Sequence, residues 1–397
     1  MNSEVETVIT ETIQALDNEL RDISLKIHNN PEIGNHEFKA HKLLTEYLEK
    51  NGFQVQKEAA GLETAFIAEF SNGPGRRVGF CAEYDALPGV GHACGHNLIS
   101  ICGIACAMAT KKLLEQNLIQ GTVVLFGTPA EESTSGKIDM VKYGEVQRRV
   151  DFAMMLHPFA NDCLYALMLA LDSVVVEFYG KASHAGMKPW DGINALDALM
   201  QAWNNMSMLR QQTLTTNRLH GIILDGGKSA NVIPDYASAK FYCRSVTRTQ
   251  LAELKVKLTN CIQSAAQATG CKVKLTWAPN GVVEDVFTND AMILQYKKYM
   301  EQEGIKFPTR AEEERTTTGS TDFGNFSYVV PGIHPGFAIN TDAANHTIEF
   351  TEAAGTPEAH MMAIRAARGL AKTAATVFLD DALYEHAVAD FKKGKSQ

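Results

Sequence analysis

The sequence has no apolar run long enough to span a bilayer. Its longest, Leu98 to Ala109, falls short of the roughly 20 residues a membrane-crossing helix needs and reads as a buried helix. Positive charge is also scarce. Thirty-seven Lys and Arg against 46 Asp and Glu leave a net charge of −9 at pH 7, and the only lysine cluster is the tail FKKGKSQ. That balance argues against nucleic acid and against a membrane surface as partners. The eight cysteines show no disulfide spacing for a chain this large, so a reducing, cytoplasmic compartment is expected. There is no internal repeat and no low-complexity linker. The opening MNSEVETVITE is acidic and polar, unlike a secretory signal.

What is present is an ordinary soluble composition, 45% hydrophobic and 21% charged over 397 residues, a length that predicts two domains. Val5, Val8, Ile9, Leu16, Leu20, Ile23 and Ile27 keep helical spacing up to Asn29-Asn30-Pro31, and Phe38 to Leu48 predicts a second helix ended by Gly52. The runs TAFIAEF, RVGFCAEY, GTVVLFGTPAEE and VDFAMMLHP read as strands with helices between them. This is an α/β pattern with a mixed, largely parallel sheet. From Asp172 the texture becomes antiparallel: DSVVVEFYGKA, RLHGIILDGG, YASAKFYCRS and CKVKLTWAP surround two helices, 191–210 and 247–269. The α/β pattern resumes near residue 285 and ends in a long Ala-rich helix, 352–378. A discontinuous catalytic domain, 1–172 and 285–397, therefore holds an inserted, smaller α+β domain, 173–284.

The chemistry concentrates in GVGHACGHNLIS. Cys94 differs from the other cysteines in sitting among glycines and histidines. Asp85 ends one predicted strand just upstream, Glu131 and Glu132 end another, and His157 ends a third. Ligands of open α/β sheets bind beyond the carboxyl ends of the strands, so three strands deliver Cys94, His96, Asp85, Glu131, Glu132 and His157 to one rim. Alone, a strand-end histidine is an ordinary structural residue and an adjacent Glu pair a solvated turn; their convergence points to a metal. Thiolate, imidazole and carboxylate together favour zinc or a neighbouring first-row ion. Adjacent glutamates allow one to ligate while the other serves as general base to a water. A closed structural zinc site fits poorly, since such sites use more cysteines at compact paired spacings. A cysteine nucleophile with a histidine base is a further alternative, though Cys94 and His96 are uncomfortably close in sequence for it.

The segments CAEYDALPGVGHACGHN, GTPAEE, LHP, GKASHAGMKPWDGINALDA, NVIPDYA, GSTDFGN and NHTIEFTEAAGTPEA occur in order over about residues 20 to 375. Together they resemble the cocatalytic-metal amidohydrolase and peptidase family of aminoacylases, carboxypeptidase G and auxin-conjugate hydrolases. The likeness is strongest to its Xaa-Arg (β-alanyl-lysine) dipeptidase and p-aminobenzoyl-glutamate hydrolase branch. The resemblance implies a zinc-peptidase-like catalytic domain whose insert is a lid and dimerisation domain. It implies that Cys94, His96, Glu132, His157 and His346 hold one or two divalent ions (zinc or manganese, with cobalt a further candidate). Glu131 would be the general base, and His184, from a partner subunit, would stabilise the oxyanion. Asn231 and Arg244 would hold the substrate carboxylate. Many family members carry His-x-Asp where this chain has Glu83-Tyr84-Asp85, and an aspartate where it has Cys94, so Asp85 is read as orienting a ligand. The expected activity is amide hydrolysis of dipeptides or N-acyl amino acids by a homodimer. A specialised amide or amide synthesis on the same fold, and an inactive regulatory subunit, are the alternatives.

Overall fold

The computed structural model describes residues 2–315 and 319–394. They fall into two compact units. The first lies within Met1–Leu167, Val286–Thr316 and Thr321–Gln397, and the second within Met168–Asp285 and Thr317–Ser320.

The first unit is built on a six-stranded sheet. In chain order its first five strands are β1 (Gln54–Lys57), β2 (Phe66–Ser71), β3 (Arg76–Ala82), β4 (Gly121–Gly127) and β5 (Phe152–Met154). The spatial order is β1-β2-β4-β3-β5, followed by the short strand Gly332–Ile333. β4, β3, β5 and Gly332–Ile333 run parallel, while β1 and β2 form an antiparallel edge. Both faces are covered, which explains why GTVVLFG is a continuous apolar run. Val123 and Leu125 face a core shared with the helices His96–Glu115 and Pro357–Leu379, and Val124 and Phe126 pack on the other face with Phe323 and Phe326. Contrary to the sequence expectation, the helix His96–Glu115 extends beyond the Leu98–Ala109 run and is by length and composition long and apolar enough to cross a membrane, but 89% of its apolar window is buried inside the unit. It is the core helix that Leu98 to Ala109 predicted.

Local details differ from the sequence reading. The first predicted helix is two, Ser3–Ala15 and Asp17–His28, meeting at Leu16. The long Ala-rich helix begins at Pro357, not 352, because Thr356 caps it with Pro357 at its first turn; Ile348–Ala354 is a separate helix. Strand ends also come earlier. β3 stops three residues before Asp85 and β4 four residues before Glu131, while His157 opens a further short strand, His157–Phe159. A final helix, Asp381–Gly394, had no counterpart in the sequence reading.

The second unit is a four-stranded antiparallel sheet in the order Lys272–Trp277, Ala170–Tyr179, Tyr236–Ser245, Arg218–Asp225. Ala170–Tyr179 alternates buried and part-exposed residues, as a one-sided sheet requires. Its buried face packs on the helices Ala195–Leu209, capped by Asn194, and Arg248–Thr269, capped by Thr247.

Candidate metal centre

The segment after β3 is wholly buried: Glu83, Tyr84 and Asp85 expose 1% or less of their surface. Asp85 uses both oxygens. Oδ1 lies 3.0 Å from His96 Nδ1, and Oδ2 accepts the backbone N–H of Glu132 at 3.0 Å. One carboxylate thus contacts both the His96 ring and the turn that carries the glutamate pair. That turn is pinned elsewhere too: Ala130, at φ +61°, donates its N–H to the buried Glu37 at 2.8 Å.

Three overlapping groups of ligand atoms result, each with all its members within 4.8 Å of one another: Cys94, His96 and His157; Cys94, Glu132 and His346; His96, Glu131 and Glu132. Cys94 Sγ stands 3.4 Å from His157 Nε2. His157 Nδ1 lies 2.9 Å from the Pro158 carbonyl, so it carries the proton and leaves Nε2 free to ligate. His346 Nε2 is 3.1 Å from Glu132 Oε1. His346 reaches it from a left-handed backbone (φ +71°), with its N–H bonded to the Ala93 carbonyl at 2.8 Å. Such backbone strain in a non-glycine residue collects where surrounding structure holds it for function.

The electrostatics call for a cation. Glu83, Asp85, Glu131, Glu132 and Asp322 surround the centre, with Lys137 between Glu83 and Asp322. Glu83 Oε2 and His96 Nε2 are buried without a well-directed hydrogen bond among the described residues, and Glu132 Oε1 has His346 beside it. Buried polar atoms in that state are costly unless something occupies the space between them. The donor set therefore fits a divalent metal. Burial and the neighbouring Glu132 push the Glu131 carboxyl well above its usual range. Burial opposes ionisation of Glu132 as well, but His346 and His96 outweigh it and hold that carboxyl below its usual range. One glutamate of the pair is disposed to keep a proton, the other to stay charged.

The same environment weakens the cysteine-nucleophile alternative. Burial, with Glu132 beside it, pushes the Cys94 thiol up, and burial with the nearby His334 and His96 pushes His157 down. A thiolate–imidazolium pair needs both shifts in the opposite sense.

The remaining candidates lie in the second unit. His184 pairs with Val232 across the two-stranded ribbon Ser183–His184/Val232–Ile233, and Ala185 N–H bonds the Asn231 carbonyl at 3.0 Å, so His184 and Asn231 are neighbours. His184 Nδ1 accepts the N–H groups of Gly186 and Met187, each at 3.1 Å. The proton is thereby left on Nε2, where an exposed ring can donate it. Arg244 lies on Tyr236–Ser245 and donates to Ser320 Oγ at 3.2 Å. Two features had no signal in the sequence reading: the buried Lys137 with its two carboxylates, and the buried His334, whose ring lies 5.5 Å from that of His157. Both arise from tertiary convergence, although Asp322 stands within the motif segment GSTDFGN.

The parallel-sheet rim, the thiolate–imidazole–carboxylate cluster and the paired glutamates define a metal-dependent amide hydrolase with an inserted α+β unit. Comparison with known proteins agrees. A model of the peptidase dimerisation domain matches residues 170–269. The Xaa-Arg dipeptidase of Mus musculus is 41% identical over 93% of this chain and 88% of its own. A component of the p-aminobenzoyl-glutamate hydrolase of Escherichia coli (strain K12) is 28% identical over 96% and 94%. A solved Bacillus subtilis structure, described as a dinuclear metal binding peptidase from the M20 family, superposes with a TM-score of 0.65 at 20% identity, covering 89% of this chain and 98% of that one. The chain belongs to the M20 peptidase family.

Proposed function

We propose that this chain hydrolyses dipeptides and N-acyl amino acids, with Xaa-Arg dipeptides as first candidates because its 41% identical relative bears that name. One observation carries the reading. A single pinned turn presents Glu131 and Glu132 side by side, both within ligand distance of His96, and Glu132 also joins the group of Cys94 and His346. Cys94, His96, Glu132, His157 and His346 would hold one or two ions of zinc, manganese or cobalt. Bound there, a divalent ion supplies Lewis acidity and lowers the pKa of a coordinated water. Glu131 accepts the proton of the attacking water and returns it to the departing amine nitrogen. His184, from a second copy of the chain, donates its Nε2 hydrogen to the carbonyl oxygen as that oxygen gains negative charge. Asn231 and Arg244 hold the carboxylate of the leaving amino acid. Eight free cysteines support a reducing, cytoplasmic setting.

The test is chelation followed by reloading with zinc, manganese or cobalt, assayed on a panel of dipeptides and N-acyl amino acids. Hydrolysis should vanish on chelation and return with metal. Full activity after chelation, lost instead to a thiol alkylator, would overturn the reading in favour of the cysteine nucleophile.

A further inference from the structure

Lys137 exposes none of its side chain, and its ammonium lies between two equally buried carboxylates, Glu83 and Asp322. Nζ contacts Glu83 Oε1 and stands 2.6 Å from Asp322 Oδ1, and the Lys137 backbone N–H donates to Asp322 Oδ2 at 3.0 Å. Asp322 is thus gripped at both oxygens by one residue. Glu83 is gripped at one. Its other oxygen, Oε2, turns toward the metal centre and stands 3.3 Å from His96 Nε2. The two atoms stand at ion-pair distance, and neither makes a well-directed hydrogen bond among the described residues.

Three distant segments meet here: the residue after β3, the helix Gly136–Lys142 that follows the Glu131–Glu132 turn, and the residue preceding Phe323–Ser327. A buried ion cluster is a weak device for stability, because taking its charges out of water costs about what their attraction returns. This one also ends on an oxygen that makes no well-directed hydrogen bond and stands at ion-pair distance from a candidate ligand. We propose that Lys137 is a positioning residue of the metal centre: it aims Glu83, and Glu83 with Asp85 brackets His96 from both sides of its ring. Lys137 touches no reacting atom. It fixes the direction from which negative charge faces the ion and keeps His96 Nε2 turned inward. Outer partners that orient ligands in this way typically matter 10- to 100-fold in metal affinity.

The inference rests on the metal-hydrolase reading, and Co(II) titration of chelated protein tests it without substrate. Affinity and the visible Co(II) absorption are compared in the parent, Lys137→Met, Glu83→Gln and the double variant. Each single variant should bind Co(II) roughly 10- to 100-fold more weakly, with an altered spectrum. The double should resemble Glu83→Gln, since both changes act along one route. If Lys137→Met does not fold, the double variant, which removes one charge of each sign, decides. Parental affinity and spectrum in Glu83→Gln, or their recovery in the double, would overturn the inference and reduce Lys137 to a counter-charge. A parent that takes up no Co(II) would overturn the metal reading along with it.

Discussion

Glu131 and Glu132 share a turn and a residue type, yet their surroundings drive them apart. Glu132 faces His346 at 3.1 Å and is held ionised, as a ligand must be. Glu131 is pushed up by burial and by that neighbouring charge, which gives it the proton affinity a general base needs. Glu131→Gln keeps the shape and removes the acceptor, so turnover should fall roughly 10²- to 10⁴-fold with metal content unchanged. Glu132→Gln should lose metal. Elemental analysis beside the kinetics decides, and metal loss in the first variant with retention in the second would reverse the assignment. Burial pushes the Cys94 thiol up. Burial disfavours a charged His96 ring, but Asp85 and Glu83 overcome it and raise that ring well above its usual range. Both groups hold protons that a bound ion displaces, so metal affinity should rise with pH. Calorimetry in buffers of different ionisation enthalpy should register proton release, and Cys94→Ser should release fewer protons. A pH-independent affinity would mean that Cys94 does not ligate.

Among the elements, the loop from Gly89 to His96 is tightly constrained beside the metal centre. Gly89 (φ +79°) and Gly95 (φ +72°) share a left-handed backbone, but a methyl group at Gly89 meets nothing within 4 Å, while one at Gly95 falls 2.5 Å from Pro158 Cγ. Pro158 adjoins His157, so that close approach sets the spacing between Cys94 and His157. Gly89→Ala should therefore lose only the backbone contribution, about 1 kcal/mol, in a denaturant melt. Gly95→Ala should lose more and also weaken metal binding. Equal losses would show that the approach to Pro158 is slack. Glycine placement was legible in the sequence, as were the strands, because Val123 to Phe126 are apolar on both faces and Ala170 to Tyr179 alternate. The break at Leu16 was not, since Leu16 keeps helical φ/ψ and the apolar spacing runs straight through it. The signals at Thr356 and Pro357 were present but were overridden by the alanine-rich periodicity. Lys137 had no local signal at all. Nothing in STSGKIDMV distinguishes a lysine buried between two carboxylates from one in water, because its partners lie 54 and 185 residues away.

Across the whole molecule, the question is whether one chain completes a site. Arg218–Asp225 is an edge strand of the second unit's sheet, and Ile222, Ile223 and Leu224 expose 62%, 45% and 52% of their surface. Monomers usually blunt such an edge with charge or cover it; here three consecutive apolar residues are left open, within the segment that matches a dimerisation domain. Ile222→Lys with Leu224→Lys should shift a dimer toward monomer in sedimentation or light-scattering measurements while leaving the metal-binding unit intact. If His184 acts across that interface, the monomer should hold its metal and yet lose the roughly 10²- to 10³-fold that an oxyanion donor contributes. On the proposed dimer, His184→Ala should lose as much without changing the assembly state. Mixing His184→Ala with Glu131→Gln under conditions of subunit exchange then separates the arrangements. A hybrid built across the interface has one doubly damaged site and one intact site, so activity should reappear although neither parent has it. Hybrids that form, as mass measurements would show, yet stay inactive would place His184 in its own subunit's site or outside the chemistry. The ribbon supports donation in either case, because Gly186 and Met187 hold Nδ1 as the acceptor and leave Nε2–H outward. Only the hybrid tells which chain receives it.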